Sequence, residues 1–388
     1  MHRLAAVLAM ILAFTACTDD TPLQPRQELG IMDADPIVVM SRNLYLGADI
    51  DALFEPGADL EAALANAIYQ VTYTDFGARA VALAQEITSA QPHVAGLQEV
   101  VAYSLFLSQG YPLPTEPIIA FTPPAGHPLA GVPVNFLETL MAELGSGYEV
   151  AVYQPMLGMP MPIAQVPVEV APGVYVPFTL YIHYQDGEAI IVRSDVEYDN
   201  AAGHVFSDLR MMSVAGLDFP RLMGWTRADV KVNDRWIRFA SAHLENQDDP
   251  AVQEKQAAEL AAALRTSTLP VILVGDFNSA ANNDAPADRK TGSYRILRES
   301  GLADLWLRGP QSNRNGNTCC HAPLLDNAGN EMDQRLDIVF ARFTGGGFGG
   351  RAAVEIVGRD DGRFTHPYGY TLWPSDHAGV VARLWPAN

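Results

Sequence analysis

Four stretches of this chain are apolar without interruption and only four or five residues long: Ile37–Met40, Val94–Leu97, Ala189–Val192 and Pro270–Val274. Runs this short, rich in valine and isoleucine and bounded by polar residues or proline, read as β-strands buried on both faces. A strand with no polar face needs a packed layer above it and another below, so the chain must build a layered α/β or α+β structure. Further strands are expected at Leu336–Phe340, Val354–Val357 and Gly379–Leu384. Arg227–Val232 and Arg235–His243 flank Asn233-Asp234 and read as a hairpin. Helical spacing of Val81, Ala84 and Ile87 places a helix over Ala78–Ala90. Asp249-Pro250 caps a second helix over Val252–Leu264. Hairpins mixed with helix-linked strands predict mixed sheets.

The ends of these runs carry the chemistry. Asn43 follows the first, Gln98-Glu99 the second, and Asp276 with Asn278 the fourth, while His243 closes the hairpin. Asp337 opens a late strand, and Asp376-His377 precedes the last one. The six stretches Ser41–Asn43, Leu97–Val100, Ser241–Glu245, Gly275–Ser279, Arg335–Phe340 and Ser375–Gly379 together resemble, in this order, the signature of the endonuclease/exonuclease/phosphatase superfamily. Its members include DNase I-like nucleases, neutral sphingomyelinases and inositol-polyphosphate phosphatases. The resemblance implies a DNase I-like, four-layered sandwich of two mixed β-sheets flanked by helices.

Phosphate-ester hydrolysis needs charge neutralised on the phosphoryl oxygens, a water activated and a leaving oxygen protonated. Carboxylate oxygens suit Mg²⁺, with Mn²⁺ or Ca²⁺ as alternatives. The expected metal residues are Glu99, Asn43 and Asp376. Asp276 is expected to orient or deprotonate the attacking water, and Asn278 to hydrogen-bond the phosphate or a metal-bound water. The resemblance gives His377 the carboxylate partner Asp337 and puts His243 at the phosphate, with acid and base left undivided between the two histidines. Arg193, after the third run, is a further candidate for the phosphate.

One large core accommodates residues 36–388, since 48% of the chain is hydrophobic and 18% charged. Within that domain, 101–187 is proline-rich and carries Met156, Met159 and Met161; it reads as an insertion of hairpins and loops with little helix. The formal net charge is −20, which disfavours non-specific binding to a polyanion. Ahead of the domain, Arg3 and the apolar run Leu4–Phe14 make a signal-peptide pattern, too short for the ~20 residues of a membrane span. Its Ala16-Cys17 ending resembles a bacterial lipoprotein signal, with Cys17 as the lipidated residue and Phe14 as a departure from the usual small aliphatic. Residues 1–17 are therefore expected to be a leader and 18–35 a flexible tether. An exported protein anchored to the membrane of a bacterial envelope follows, or a secreted one.

Adjacent Cys319 and Cys320 cannot staple distant segments; a vicinal disulfide and two buried thiols both remain open. The function that these expectations favour is a metal-dependent phosphoesterase acting on a nucleic acid, a phospholipid or a small phosphoester. The competing reading is a lipid-anchored binding protein that reuses the scaffold without turnover.

Overall fold

The computed structural model describes residues 35–387 apart from 56, 111–118, 125–126, 128, 215–216, 283, 311–314, 344–347 and 361. The expected leader with Cys17, and all of the tether but Asp35, lie outside the described residues. In chain order the first half holds β1 (Ile37–Asn43), α1 (Leu60–Thr74), α2 (Phe76–Ala90), β2 (Val94–Gln98), β3 (Ala102–Ser108), β4 (Ile119–Ala120), β5 (Val134–Asn135), α3 (Phe136–Leu144), β6 (Tyr148–Ala171) and β7 (Val174–Arg193). Next come β8 (Glu197–Val205), β9 (Arg210–Val214), β10 (Leu217–Arg221), β11 (Gly224–Val232), β12 (Arg235–His243), α4 (Pro250–Arg265) and β13 (Val271–Asp276). The remainder is α5 (Ser293–Glu299), β14 (Ala303–Asp304), β15 (Asp337–Arg342), β16 (Gly350–Val357), β17 (Phe364–Thr365), β18 (Thr371–Leu372) and β19 (Gly379–Pro386).

Two large sheets form. One runs β16-β19-β1-β2-β7 with β3 to β6 attached, and the other runs β14-β15-β13-β12-β11-β8. Their inner faces meet in a core in which Val39, Val94, Ile190 and Val192 face Phe239, Ile272, Val274 and Val339. Leu83 and Ile87 of α2 and Leu140 of α3 cover the outer face of the first sheet. Leu260 and Leu264 of α4 and Leu297 of α5 cover the second. The result is the four-layered α/β sandwich with two mixed sheets: β1–β2 and β12–β13 are parallel, β1–β19 and β13–β15 antiparallel.

The sheets approach closely at Gly96. A Cβ there would lie 2.6 Å from the Cβ of Ser241 and 2.7 Å from Val274 Cγ2, so only glycine lets β2 pass over β12 and β13 at this distance. The Asn233-Asp234 turn has both residues at positive φ (52° and 59°), which matches the twist of its hairpin. Asp249 caps α4 through Val252 N as expected.

Helix α1 was not foreseen, because alanine, tyrosine and threonine dilute its apolar stripe. The segment 101–187 forms hairpins, as expected, and these are part of the first sheet: β6 and β7 form one long hairpin, and β7 pairs with β2 through Ala189–Val192 and with β3 through Thr179–Gln185. The prolines of β6 are tolerated because, among the described residues, β6 pairs only with β7, which leaves it a free strand edge, and the pairing has register shifts. The segment also contains a nine-residue helix, α3, capped by Asn135 through Glu138 N.

Candidate active site

Strands β1, β2, β12 and β13 end, and β15 and β19 begin, at the same end of the sandwich. Six strand termini from two sheets therefore converge on one polar cleft of about 390 Å³. Asp276 is its centre. Its Oδ2 lies 3.6 Å from His243 Nε2 and 3.6 Å from His377 Nε2. It also accepts from Asn43 Nδ2 at 3.1 Å, while Oδ1 accepts from Asn278 N at 2.9 Å. His377 Nδ1 is 2.8 Å from Asp337 Oδ2, and Asn278 Nδ2 lies 3.2 Å from His243 Nε2. Glu99 accepts from Asn43 Nδ2 at 2.9 Å and from Leu46 N at 2.7 Å.

Asp337–His377, Asp276–His377 and Asn43–Asp276 cross between the sheets, as does, just beneath, Gln98 Nε2 donating to Ser241 Oγ at 2.7 Å. Each sheet carries half of the constellation. Register explains the adjacency within each half, since His243 pairs with Asp276 and Asp276 with Asp337 across the second sheet. Gly275 permits the sharp backbone before Asp276: at φ +149° any Cβ would run into the carbonyl of Ala242.

Burial sets the charge states. It is the largest influence on His243 and drives its pKa down to about 4, against the attraction of Asp276. On His377 burial works the same way, but the fields of Asp337, Asp276 and Asp376 outweigh it and hold the imidazolium well above its usual range. The two histidines are thus pushed apart, one neutral and one cationic. Burial raises the Asp276 pKa, opposed by His377. Burial also lifts Asp376 to about 7, with Glu99 and Asp276 adding to the rise against His377.

Asn43, Glu99, His243, Asp276, Asn278, Asp337, Asp376 and His377 all come together here. The amide oxygen of Asn43 accepts from Tyr45 N at 2.8 Å, and its NH₂ bridges the carboxylates of Glu99 and Asp276. Glu99 and Asp276 supply hard oxygens, with Asp376 lining the same cleft, a donor chemistry that fits a divalent ion of the Mg²⁺ type. Donor atoms of Glu99, His243 and Asp276 lie within 4.8 Å of one another.

Arg193 is a correction. Strand β7 runs antiparallel to β2, so its last residue sits at the opposite end of the sheet, where Arg193 binds Asp195 at 2.6 Å. The same reversal brings the start of the Ala189–Val192 run to the cleft. Glu188, 1% exposed, places Oε1 3.4 Å from His243 Nδ1. Sequence reasoning missed it, although a carboxylate directly before an apolar run was the available signal. Arg221 was missed too; it enters the cleft from the β9–β10 hairpin and pairs with buried Glu245 at 3.0 Å. Cys319 and Cys320 lie side by side in the cleft wall as a vicinal disulfide. Arg335 binds Asp304 at 2.7 Å.

A larger hollow of about 530 Å³ lies between α2 and β16. Ion pairs Arg42–Glu86, Arg383–Glu355 and Arg359–Asp360 stand in or beside it, Arg363 also lines it, and none of the histidines above does.

A sequence model described as the Endonuclease/Exonuclease/phosphatase family matches residues 72–377. No curated protein matches the sequence. Among solved structures, a humanized TDP2 of D. rerio is similar at 13% identity and a TM-score of 0.49, covering 91% of this chain and 100% of that one. A mannosyl-6-phosphatase of Bacteroides thetaiotaomicron is similar at 16% identity and a TM-score of 0.48, with 90% and 99% covered. A protein of the same family from Leptotrichia buccalis has 16% identity and a TM-score of 0.47, again with 90% and 99% covered.

Proposed function

Because this chain belongs to the endonuclease/exonuclease/phosphatase family, we propose that it hydrolyses phosphate esters with the help of a divalent ion, Mg²⁺ matching the donors best. The observation that carries this reading is Asp276 Oδ2 standing 3.6 Å from the Nε2 of one neutral and one cationic histidine.

When bound by Glu99 and Asp376, the ion supplies charge neutralisation at the phosphoryl oxygens. The chain's own groups do the rest. Asp276, a base strengthened by burial, orients the attacking water and takes its proton. His377, held in place by Asp337, presents an N–H from its cationic ring to the developing negative charge and delivers the proton to the leaving oxygen. His243 is neutral, with Nε2 facing Asn278 and Nδ1 facing Glu188, and so positions the phosphate without competing as an acid.

The cleft rim favours a compact substrate. Asp49, Asp51 and Asp248 line it, and Arg221 and Arg289 are its arginines. Two arginines among acids suit one phosphate group better than the repeating charge of a polynucleotide, in keeping with a net charge of −20.

The test is turnover of p-nitrophenyl phosphate, bis-p-nitrophenyl phosphate and plasmid DNA, with Mg²⁺ and with EDTA. EDTA-sensitive cleavage of a small ester ahead of DNA is expected. Asp276→Asn and His377→Asn should each lower turnover at least about 10²-fold. Undiminished activity in both folded variants would remove the assignment.

A further inference from the structure

The vicinal disulfide stands against the histidine on which the proposed reaction depends. Cys320 is exposed and its Sγ lies 3.9 Å from His377 Nε2, while Cys319 is fully buried beneath it. The backbone fixes this placement on both sides: Ala378 N donates to Thr318 O at 2.8 Å, and His321 N donates to Asp376 O at 2.9 Å. Both sulfurs and a His377 ring nitrogen fall within 4.8 Å of one another. Asp337 holds the other ring nitrogen at 2.8 Å, the arrangement by which carboxylates orient a metal-binding imidazole and leave Nε2 free to ligate. Two sulfurs and an imidazole nitrogen form a soft donor set unlike the carboxylate oxygens 3.6 Å beyond it at Asp276.

We propose that reduction of the Cys319–Cys320 disulfide opens a second metal site, made of both sulfurs and His377 Nε2, for a thiophilic divalent cation of the zinc class, and that its occupation arrests hydrolysis by withdrawing His377. A thiol or phosphine reductant supplies the two electrons that break the S–S bond, and two protons from water complete the thiols. On binding, the cation displaces both thiol protons and any proton on Nε2 to solvent. Water or Asp276 fills the fourth position of a tetrahedral site. In the disulfide state the sulfurs cannot act as thiolates, and the cleft offers only its hard donors. Arrest of hydrolysis rests on the function proposed above; the metal site itself does not.

The experiment uses the full protein, oxidised or reduced with a phosphine and desalted without air. Co²⁺ serves as the optical probe and Zn²⁺ as the inhibitor, each variant being compared with its own zinc-free rate. A thiolate-to-cobalt charge-transfer band is expected in the reduced protein only, and it should vanish in Cys320→Ser. Zn²⁺ should inhibit the reduced form at concentrations at least about tenfold below those needed for the oxidised form. If Cys320→Ser fails to fold, Cys319→Ser reports the same loss through the other sulfur. No cobalt–thiolate band in folded, reduced protein, or equal zinc inhibition in both states, overturns the site. A band without hydrolysis in either state keeps the site and overturns the proposed function; hydrolysis without a band does the reverse.

Discussion

Glu99 and Asn278 both stand in the left-handed region, at φ 54° and 46°. Asparagine tolerates it, but for glutamate the conformation costs on the order of 1 kcal/mol and persists only where neighbours over-determine it. Here Leu46 N and Asn43 Nδ2 clamp the Glu99 carboxylate, so the strain is held by the same contacts that aim the side chain into the cleft. Asp186 shows the electrostatic side of this crowding. It lies behind the cleft, 8% exposed, with its pKa raised from 3.8 to about 7 by burial first and by Glu99 second. The unfolded chain gives up this proton near 3.8 and the folded one near 7, so the folded state binds more protons between those values. Stability from this group is therefore full below pH 3.8 and falls as the pH rises toward 7. Asp186→Asn should gain on the parent over that window, by up to about 4 kcal/mol at pH 8 relative to pH 4. Denaturant midpoints at the two pH values measure it, and a gain independent of pH would contradict the assignment.

At the scale of elements, two buried arginines decide where the last loop sits. Arg79 of α2 donates to the carbonyls of Leu44 at 2.6 Å, Pro374 at 2.9 Å and Tyr45 at 3.0 Å, with its guanidinium over the Phe76 ring. Arg42 of β1 donates to the His377 carbonyl and pairs with Glu86 of α2. Helix α2 thus fixes both the turn after β1 and the segment that carries Asp376 and His377. Arg79→Leu would strand three buried carbonyls, costing roughly 3 kcal/mol or more. It should also lower kcat more than it raises KM, because the catalytic loop loses its anchor while the arginines of the rim are untouched. Chemical denaturation and steady-state rates check both halves.

None of this anchoring was legible in the sequence, where Arg42 and Arg79 look like any helix or strand cation. What was legible were the residues that terminate apolar runs: Asn43, Glu99, His243, Asp276 and Asn278, joined by Asp337 and His377 at strand starts. A strand buried on both faces has only its ends to offer to solvent, so chemistry gathers there. The direction of each strand was not legible. β7 runs opposite to its neighbour β2, so Arg193 was expected where Glu188 in fact stands. The layered fold could be read from which runs were wholly apolar; hairpins in the proline-rich segment were expected, but the length of the β6–β7 hairpin was not legible, because its prolines resembled loop signals.

For the whole molecule, the cleft exists only while two sheets hold their mutual register. Asn43, Glu99, Asp376 and His377 ride on one sheet; His243, Asp276, Asn278 and Asp337 ride on the other. Gly96 sets the spacing, and Gly96→Ala would wedge a methyl group into Ser241 and Val274. Overpacking of this kind costs typically 1–3 kcal/mol. Turnover should suffer more than that figure suggests, since hydrogen bonds such as Asp337–His377 span the gap being opened. A far-ultraviolet spectrum like the parent's, combined with a lowered Tm and a rate reduced at least about tenfold, is the expected outcome; a parental rate would mean that the sheets tolerate the shift.

Among the described residues, the side chains gathered around Asp276 lie at one rim, and the other rim is built of different contacts. Asp35, Gln91, Arg193 and the Asn233 turn gather there, joined by Arg193 Nη1 to Gln91 O and by Asn233 Nδ2 to Asp35 O. The seven residues of β1 separate the two rims by about 20 Å. A dye, a bead or a fused domain grafted onto that quiet floor would leave the mouth open to the liquid, so the molecule comes with a built-in handle.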